Sequence, residues 1–213
     1  MIGVAGAGSR AACRIALTLP EVIMLDALAL WNRDHANFAV LLDLLERQLE
    51  LFHRGETPNY DLMSDIMFYM THYTDLVHHP REDLAFARIR ERDPAMEVVV
   101  DELIAQHAAL KRAGEALSGT LADIVNGSIT SRARLEVPAR DYLELLRGHM
   151  RHEERDVLPR VASLLRPRDW SAIDAEVRHV EDPLFGSSGE QRYAALREQI
   201  SREARISDGE ALR

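Results

Sequence analysis

The chain has 213 residues, of which 46% are hydrophobic and 29% charged, with a formal charge of -9. That length supports one well-buried core and a modest appendage, and is too short for two full-sized domains. The acidic balance leaves no basic footprint for phosphates, which argues against a nucleic-acid partner. No apolar run approaches the roughly 20 residues that cross a bilayer, so no membrane span is expected.

Residues 1–23 share little with the rest of the chain and read as a disordered N-terminal tail. A weak export signal is discounted there, because Arg14 interrupts the apolar stretch and no small-residue cleavage site comes after it. The single cysteine, Cys13, cannot form an intramolecular disulfide. That fits a reducing compartment, and a cytoplasmic location is expected. From residue 25 to 53 apolar side chains recur at helical spacing, among them Trp31, Phe38, Leu42 and Leu49, before Gly55 and Pro58 mark a turn. A second helix is predicted over residues 60–90. Pro80 lies inside it and should kink it beside His78 and His79.

Asp93 and Pro94 read as N-cap and first residue of a third helix that ends at Asn126, Gly127 and Ser128. A fourth is expected over residues 135–165. Four long amphipathic helices with short turns and no β-alternation predict an all-α, up-down-up-down four-helix bundle over residues 24–165. Residues 166–213 form a different segment, with two shorter helices expected at 169–180 and 190–200. Its Trp170, Ile173, Leu184, Phe185, Tyr193 and Leu196 could pack on the bundle or on another subunit, which leaves a homodimer or a protein partner open.

Six residues carry the chemistry: His35, His78, Glu82, His107, His149 and Glu153. His78 with Glu82 and His149 with Glu153 are i,i+4 pairs, so each pair projects from one helix face. Antiparallel helices bring into register residues equally far from their shared turn. His35 and His78 each lie about 20 residues from the first turn, His78 and His107 roughly a dozen from the second, and His107 and His149 about 20 from the third. All six can therefore share one layer. Each histidine sits on or beside an apolar stripe, and so many buried imidazoles and carboxylates are hard to explain without an ion. Nitrogen and oxygen donors without thiolates suit iron, manganese or zinc. Two ions bridged by Glu82 and Glu153 would use the set more economically than one.

The runs His78-His79-Pro80-Arg81-Glu82-Asp83 and His149-Met150-Arg151-His152-Glu153-Glu154 resemble the hemerythrin-like, or HHE cation-binding, domains over roughly residues 25–165. The segment from Trp170 through Asp182-Pro183-Leu184-Phe185-Gly186 resembles an extension found on some bacterial members. The resemblance implies a four-helix bundle around a non-haem di-iron centre that binds or reacts with O2, peroxide or nitric oxide, in a sensing, stress-response or iron-handling role. Two departures stand out. Oxygen carriers have a second histidine one turn on in the third helix, where this chain has Lys111, and they space the last carboxylate five residues after its histidine, not four. These departures imply a histidine-poor site more readily driven through oxidation chemistry than through reversible O2 carriage.

His79 points about 100° away from His78 and is expected behind the ligands, with a direct role if the Pro80 kink turns it inward. His72 and Tyr73 are further candidates for the surroundings of the site. Whether the chain is an enzyme is left open by the residues. A competing reading is a metal-stabilised regulatory module whose C-terminal extension docks a partner.

Overall fold

The computed structural model describes residues 19–187 and 190–211, with side chains described over 28–187 and 190–202. Every regular element among them is helical. Helix α1 (Leu19–His53) starts six residues before the apolar periodicity suggested, with Pro20 in its first turn, where a missing N–H costs no hydrogen bond. The tail expected over residues 1–23 therefore falls partly inside α1; Cys13 and the rest of residues 1–18 lie outside the described residues.

Gly55, at a φ of 82°, ends the first turn. Asn59 then caps α2 (Tyr60–Tyr69), accepting from Leu62 N at 3.0 Å. The expected second helix is not uniform. Residues Met70–His78 form a π-helix, and α3 (His79–Arg92) resumes normal winding. Pro80 explains the location of the change. It has no N–H, and its ring crowds the carbonyl four residues back, so the chain before it relaxes into wider turns in which His79 N donates to Thr74 O, five residues behind.

Asp93 accepts from Ala95 N at 3.2 Å and Pro94 opens a 3₁₀ turn that leads into α4 (Glu97–Val125). The expected fourth helix is broken: α5 (Arg132–Asp156) ends at Val157, and α6 (Leu158–Leu164) starts again with Pro159 in its first turn. Pro159 cannot donate to the carbonyl of Arg155, so the ladder is interrupted there. Helix α4 packs on α5 and α2, and α1 on α5 and α2, closing a ring around the core.

The core divides in two along this ring. Phe38, Leu42, Ile66, Met67, Leu117 and Leu146 belong to one apolar cluster, and Trp31, Phe86, Val100, Leu103 and Val161 to the other. Between them α1 carries His35, α3 carries Glu82, α4 carries His107 and α5 carries His149 and Glu153, all buried. A polar layer is thus held between two independent apolar supports.

The C-terminal segment packs on the same chain. Helix α7 (Pro167–Glu176) buries Trp170 edge-on against Trp31, with ring centroids 5.2 Å apart, and places Ile173 in the same cluster. Leu184, Tyr193 and Leu196 join the other cluster, and α8 (Ala194–Ala211) completes the segment. The turn between them is organised by buried Asp182, which accepts from Leu184 N, Phe185 N, Tyr69 Oη and Asn37 Nδ2 at 2.8–3.2 Å. Only glycine fits at 186, because a Cβ there would collide with Asp182 O. Trp170→Ala should therefore cost about 3–5 kcal/mol, the usual range for deleting a buried aromatic. Chemical denaturation checks this, and a loss under about 1 kcal/mol would mean the extension is not integral to the core.

Candidate metal centre

Helix geometry brings together all six predicted residues. His78 Nε2 lies 2.8 Å from Glu82 Oε1, one turn further along, and His149 Nε2 lies 3.4 Å from Glu153 Oε2 in the same i,i+4 relation. His35 Nε2 reaches across from α1 to Glu82 at 3.8 Å and Glu153 at 3.4 Å, and His107 Nε2 approaches Glu82 Oε2 at 3.7 Å.

His79 is the principal difference from the sequence reading. It is not behind the ligands. Its ring stacks on His107 with centroids 4.1 Å apart and stands 5.4 Å from His149. His79 opens the regular helix α3 three residues before Glu82, and His78 precedes Glu82 by four, so both approach Glu82 while diverging from each other by the ordinary helical rotation. Donor atoms from His35, His78 and Glu82 form one group, and those from His79, Glu82, His107 and His149 another, with all donors in each group within 4.8 Å of one another. Glu82 is common to both. Glu153 Oε2 lies 3.4 Å from His35 of one group and 3.4 Å from His149 of the other. The cluster therefore holds five imidazoles, which corrects the expectation of a histidine-poor site drawn from Lys111.

His72 takes no part in the cluster. It is exposed on the outer face of the π-helix, stacked on Phe68 at 3.7 Å, with Nδ1 2.9 Å from Phe68 O. The six-residue interval to His78 runs through wide turns, so it does not preserve the face that α-helical spacing would give. Tyr73 acts at one remove. Its hydroxyl donates to Asp34 Oδ2 at 3.4 Å, and the same oxygen accepts from His78 Nδ1 at 3.1 Å.

Asp34 is one of a set that sequence reasoning missed. Each imidazole has its Nδ1 beside an acceptor outside the cluster: His35 on Glu154 at 2.9 Å, His78 on Asp34, His79 beside Asp75 at 3.3 Å, His107 on Asp83 at 2.7 Å, and His149 on the Gln106 amide oxygen at 3.1 Å. An acceptor at Nδ1 holds a proton there, so the nitrogen that must give up its proton to a metal is the inward Nε2, as metal-ligating histidines require. A signal was present in the sequence. Asp34, Asp83 and Glu154 each adjoin a predicted ligand, and Asp75 precedes His79 by one helical turn.

The electrostatics divide the cluster. Burial opposes a charge on His35, but Glu153 and Glu82 outweigh it and push its pKa up to about 11. Burial is likewise overcome at His78 by the Glu82 charge and the Asp34 hydrogen bond, which raise it to about 9. In the other half, burial and then neighbouring His107 hold His79 well below its usual value and lower His149 to about 3. Burial would raise Glu82, yet His78 and His35 hold it well below the usual carboxylate range. Burial and the Glu82 charge raise Glu153 to about 7.

The donor set fits a cation. Both carboxylate oxygens of Glu82 and both of Glu153 are buried without a hydrogen-bond donor, as is His78 Nε2, whose 2.8 Å approach to Glu82 is off the hydrogen-bonding direction. His107 and His149 face each other Nε2 to Nε2 at 3.2 Å, with both Nδ1 atoms already engaged. Two inward lone pairs at that distance repel unless a positive charge lies between them. Buried carboxylate oxygens without a hydrogen-bond donor are similarly costly, and a cation relieves both.

Among the described residues no helix is long and apolar enough to cross a membrane. No curated protein and no solved structure matches the chain. The family described as hemerythrin HHE cation binding domain matches residues 26–161, well over half of the sequence and the whole span from His35 to Glu153. The chain belongs to the hemerythrin HHE cation-binding domain family.

Proposed function

We propose that this protein is a non-haem di-iron protein that binds or reacts with O2, peroxide or nitric oxide in a sensing, stress-response or iron-handling role. In this reading α1, the α2–α3 rod, α4 and α5 are the four members of an up-down-up-down bundle. His35 and His78 would hold one iron and His79, His107 and His149 the other, with Glu82 and Glu153 shared between the two groups. Bound there, iron would supply redox chemistry and a Lewis-acid position for a small ligand. The protein residues supply the rest. Their outer acceptors fix each imidazole before an ion arrives, and the flanking apolar clusters keep bulk water away.

One observation carries the reading: the four oxygens of Glu82 and Glu153 are buried and unpartnered, between imidazoles of both groups. Two overlapping donor groups that share Glu82 favour two ions over one. Among the described residues of the C-terminal extension, Trp170, Ile173, Leu184, Tyr193 and Leu196 are buried in this chain's own core, which favours an intramolecular role for these side chains.

Elemental analysis of protein purified without a metal-affinity tag tests the proposal, together with an optical spectrum in air. About two irons per chain with near-ultraviolet oxo-bridge bands are expected. Absence of metal even after anaerobic iron loading would overturn it. His79→Ala isolates the fifth imidazole: iron content should fall toward about one per chain, because that half loses one of three nitrogen donors. An unchanged content and spectrum would return His79 to a supporting role.

A further inference from the structure

Tyr69 and Asp182 form a buried pair for which neither the metal centre nor the packing of the extension has a use. The Tyr69 hydroxyl donates to Asp182 Oδ2 at 2.9 Å, and both side chains are shut off from solvent. The carboxylate is already held by Leu184 N and Phe185 N on Oδ1 and by Asn37 Nδ2 on Oδ2, at 2.8–3.2 Å. Three donors fix the turn, and a phenylalanine would fill the space of the ring. The phenol adds chemistry to that arrangement.

A row of packed rings joins the pair to the cluster. Tyr69 closes α2, and Tyr73, four residues on in the π-helix, stacks against it with ring centroids 5.4 Å apart and planes at 30°. Tyr73 donates in turn to Asp34 Oδ2, the oxygen that accepts from His78 Nδ1 at 3.1 Å. Phe38, fully buried, stands edge-on to Tyr69, Tyr73 and His78 at 5.0–6.4 Å and keeps the row dry.

The two phenols are not equivalent. The Tyr69 bond has an ordinary length for O–H···O, whereas that of Tyr73, at 3.4 Å, is long and shares its acceptor with an imidazole. Burial, and then the Asp182 charge, push the Tyr69 phenol far above its ordinary pKa, so it keeps its proton at neutral pH. An oxidised phenol is by contrast a strong acid, and at Tyr69 a carboxylate is in place to take that proton.

We propose that Tyr69 is a redox-active residue that gives up one electron toward the centre through the ring of Tyr73 while its proton crosses to Asp182, with hydrogen peroxide as the oxidant served. The direction of the electron rests on the metal-centre reading; the oxidation of Tyr69 itself does not. Each event breaks the Tyr69 O–H bond and forms one on Asp182 Oδ2, leaving a neutral tyrosyl radical beside a carboxylic acid. Two such electrons, with two protons from solvent, reduce one hydrogen peroxide to two waters. A one-electron reductant of the ascorbate class returns each electron, and Asp182 returns the proton.

Flash-quench oxidation with photogenerated ruthenium(III) tris-bipyridine tests the residue without any metal. Rapid-freeze electron paramagnetic resonance of the whole chain should show a tyrosyl signal that is lost in Tyr69→Phe and kept in Tyr73→Phe. Tyr69→Phe leaves the other three donors on Asp182, so it removes the phenol and not the turn. The rise of the wild-type signal should slow in heavy water, which reads the proton step without a variant at Asp182. In iron-loaded protein peroxide should raise the same signal and ascorbate should discharge it. There Tyr73→Phe should lower its yield, a split between the two oxidants that a packing role for Tyr73 would not produce.

A flash-quench signal that survives in Tyr69→Phe, or that is lost instead in Trp31→Phe, would overturn the assignment. No slowing in heavy water would remove Asp182 from the step. Protein shown to hold iron that forms no radical with peroxide would overturn the peroxide reaction. Failure to take up metal even after anaerobic loading would count against the di-iron reading instead, and the flash-quench arm would still decide Tyr69.

Discussion

On the two-ion reading, Glu82→Ala is expected to abolish stable binding of both metals, not one. Glu82 is the only residue common to the two donor groups, and each of its oxygens faces a different set of imidazoles: Oε1 lies 2.8 Å from His78, and Oε2 lies 3.7 Å from His107. Its loss removes a negative donor from each ion at once. Removing an outer hydrogen-bond partner of a metal ligand typically costs 10–100-fold in affinity, so loss of a shared carboxylate should exceed about 100-fold at each position. Asp83→Ala, by contrast, removes only the acceptor at His107 Nδ1 and should stay within that smaller range, confined to one half. Elemental analysis and competition with a chelator of known affinity read both effects. Full occupancy in Glu82→Ala would refute the bridging assignment. Equal losses in Glu82→Ala and Asp83→Ala would mean that the variants act through general loosening of the layer.

The layer is legible in the sequence because its spacing obeys helix geometry. His35, Glu82, His107, His149 and Glu153 come together since long helices joined by short turns convert equal sequence distances into equal heights. Where the geometry departs from the α-helix, sequence spacing fails. His72 lies within the π-helix, whose wide turns put it outside. His79 opens the regular helix α3 three residues before Glu82, an i,i+3 relation that turns it inward and that its offset from His78 conceals. Pro80 announces a disturbance, but a missing N–H does not say whether the helix will bend or widen. Pro159 has the same chemistry within the expected fourth helix, and there it gives a clean break that apolar periodicity does not reveal.

The outer acceptors fail to show for a different reason. An aspartate beside a histidine is commonplace on solvated helices, and only the inward turn of the imidazole distinguishes Asp34 or Asp83 from any surface carboxylate. The extension's docking face is undecidable from periodicity, because an apolar stripe does not name its partner. The Asp182 turn and Arg81 supply that information through polar contacts to α1, α2 and α7.

Removing the metal should lower thermal stability by about 8–16 °C. A ligand that binds only the folded chain stabilises it by RT ln(1 + [L]/Kd), about 4.1 kcal/mol at 1,000 times Kd, and each kcal/mol moves the midpoint of a domain of 150–250 residues by roughly 2–4 °C. The unfolded chain cannot assemble donors from α1, α3, α4 and α5, so this linkage applies. The apo protein should nonetheless remain folded, because the apolar clusters on either side of the layer are built from separate sets of side chains. What it loses is relief of the strain within the layer: the Glu82 and Glu153 oxygens stay unpartnered, and the His107 and His149 nitrogens face each other. The double variant Glu82→Ala, Glu153→Ala provides the control, since its melting should be insensitive to chelator and to added iron. If verified removal of metal leaves the wild-type midpoint unmoved, the layer is stable by its own ion pairs, His35 and His78 neutralising Glu82, and it carries no strain for a cation to relieve.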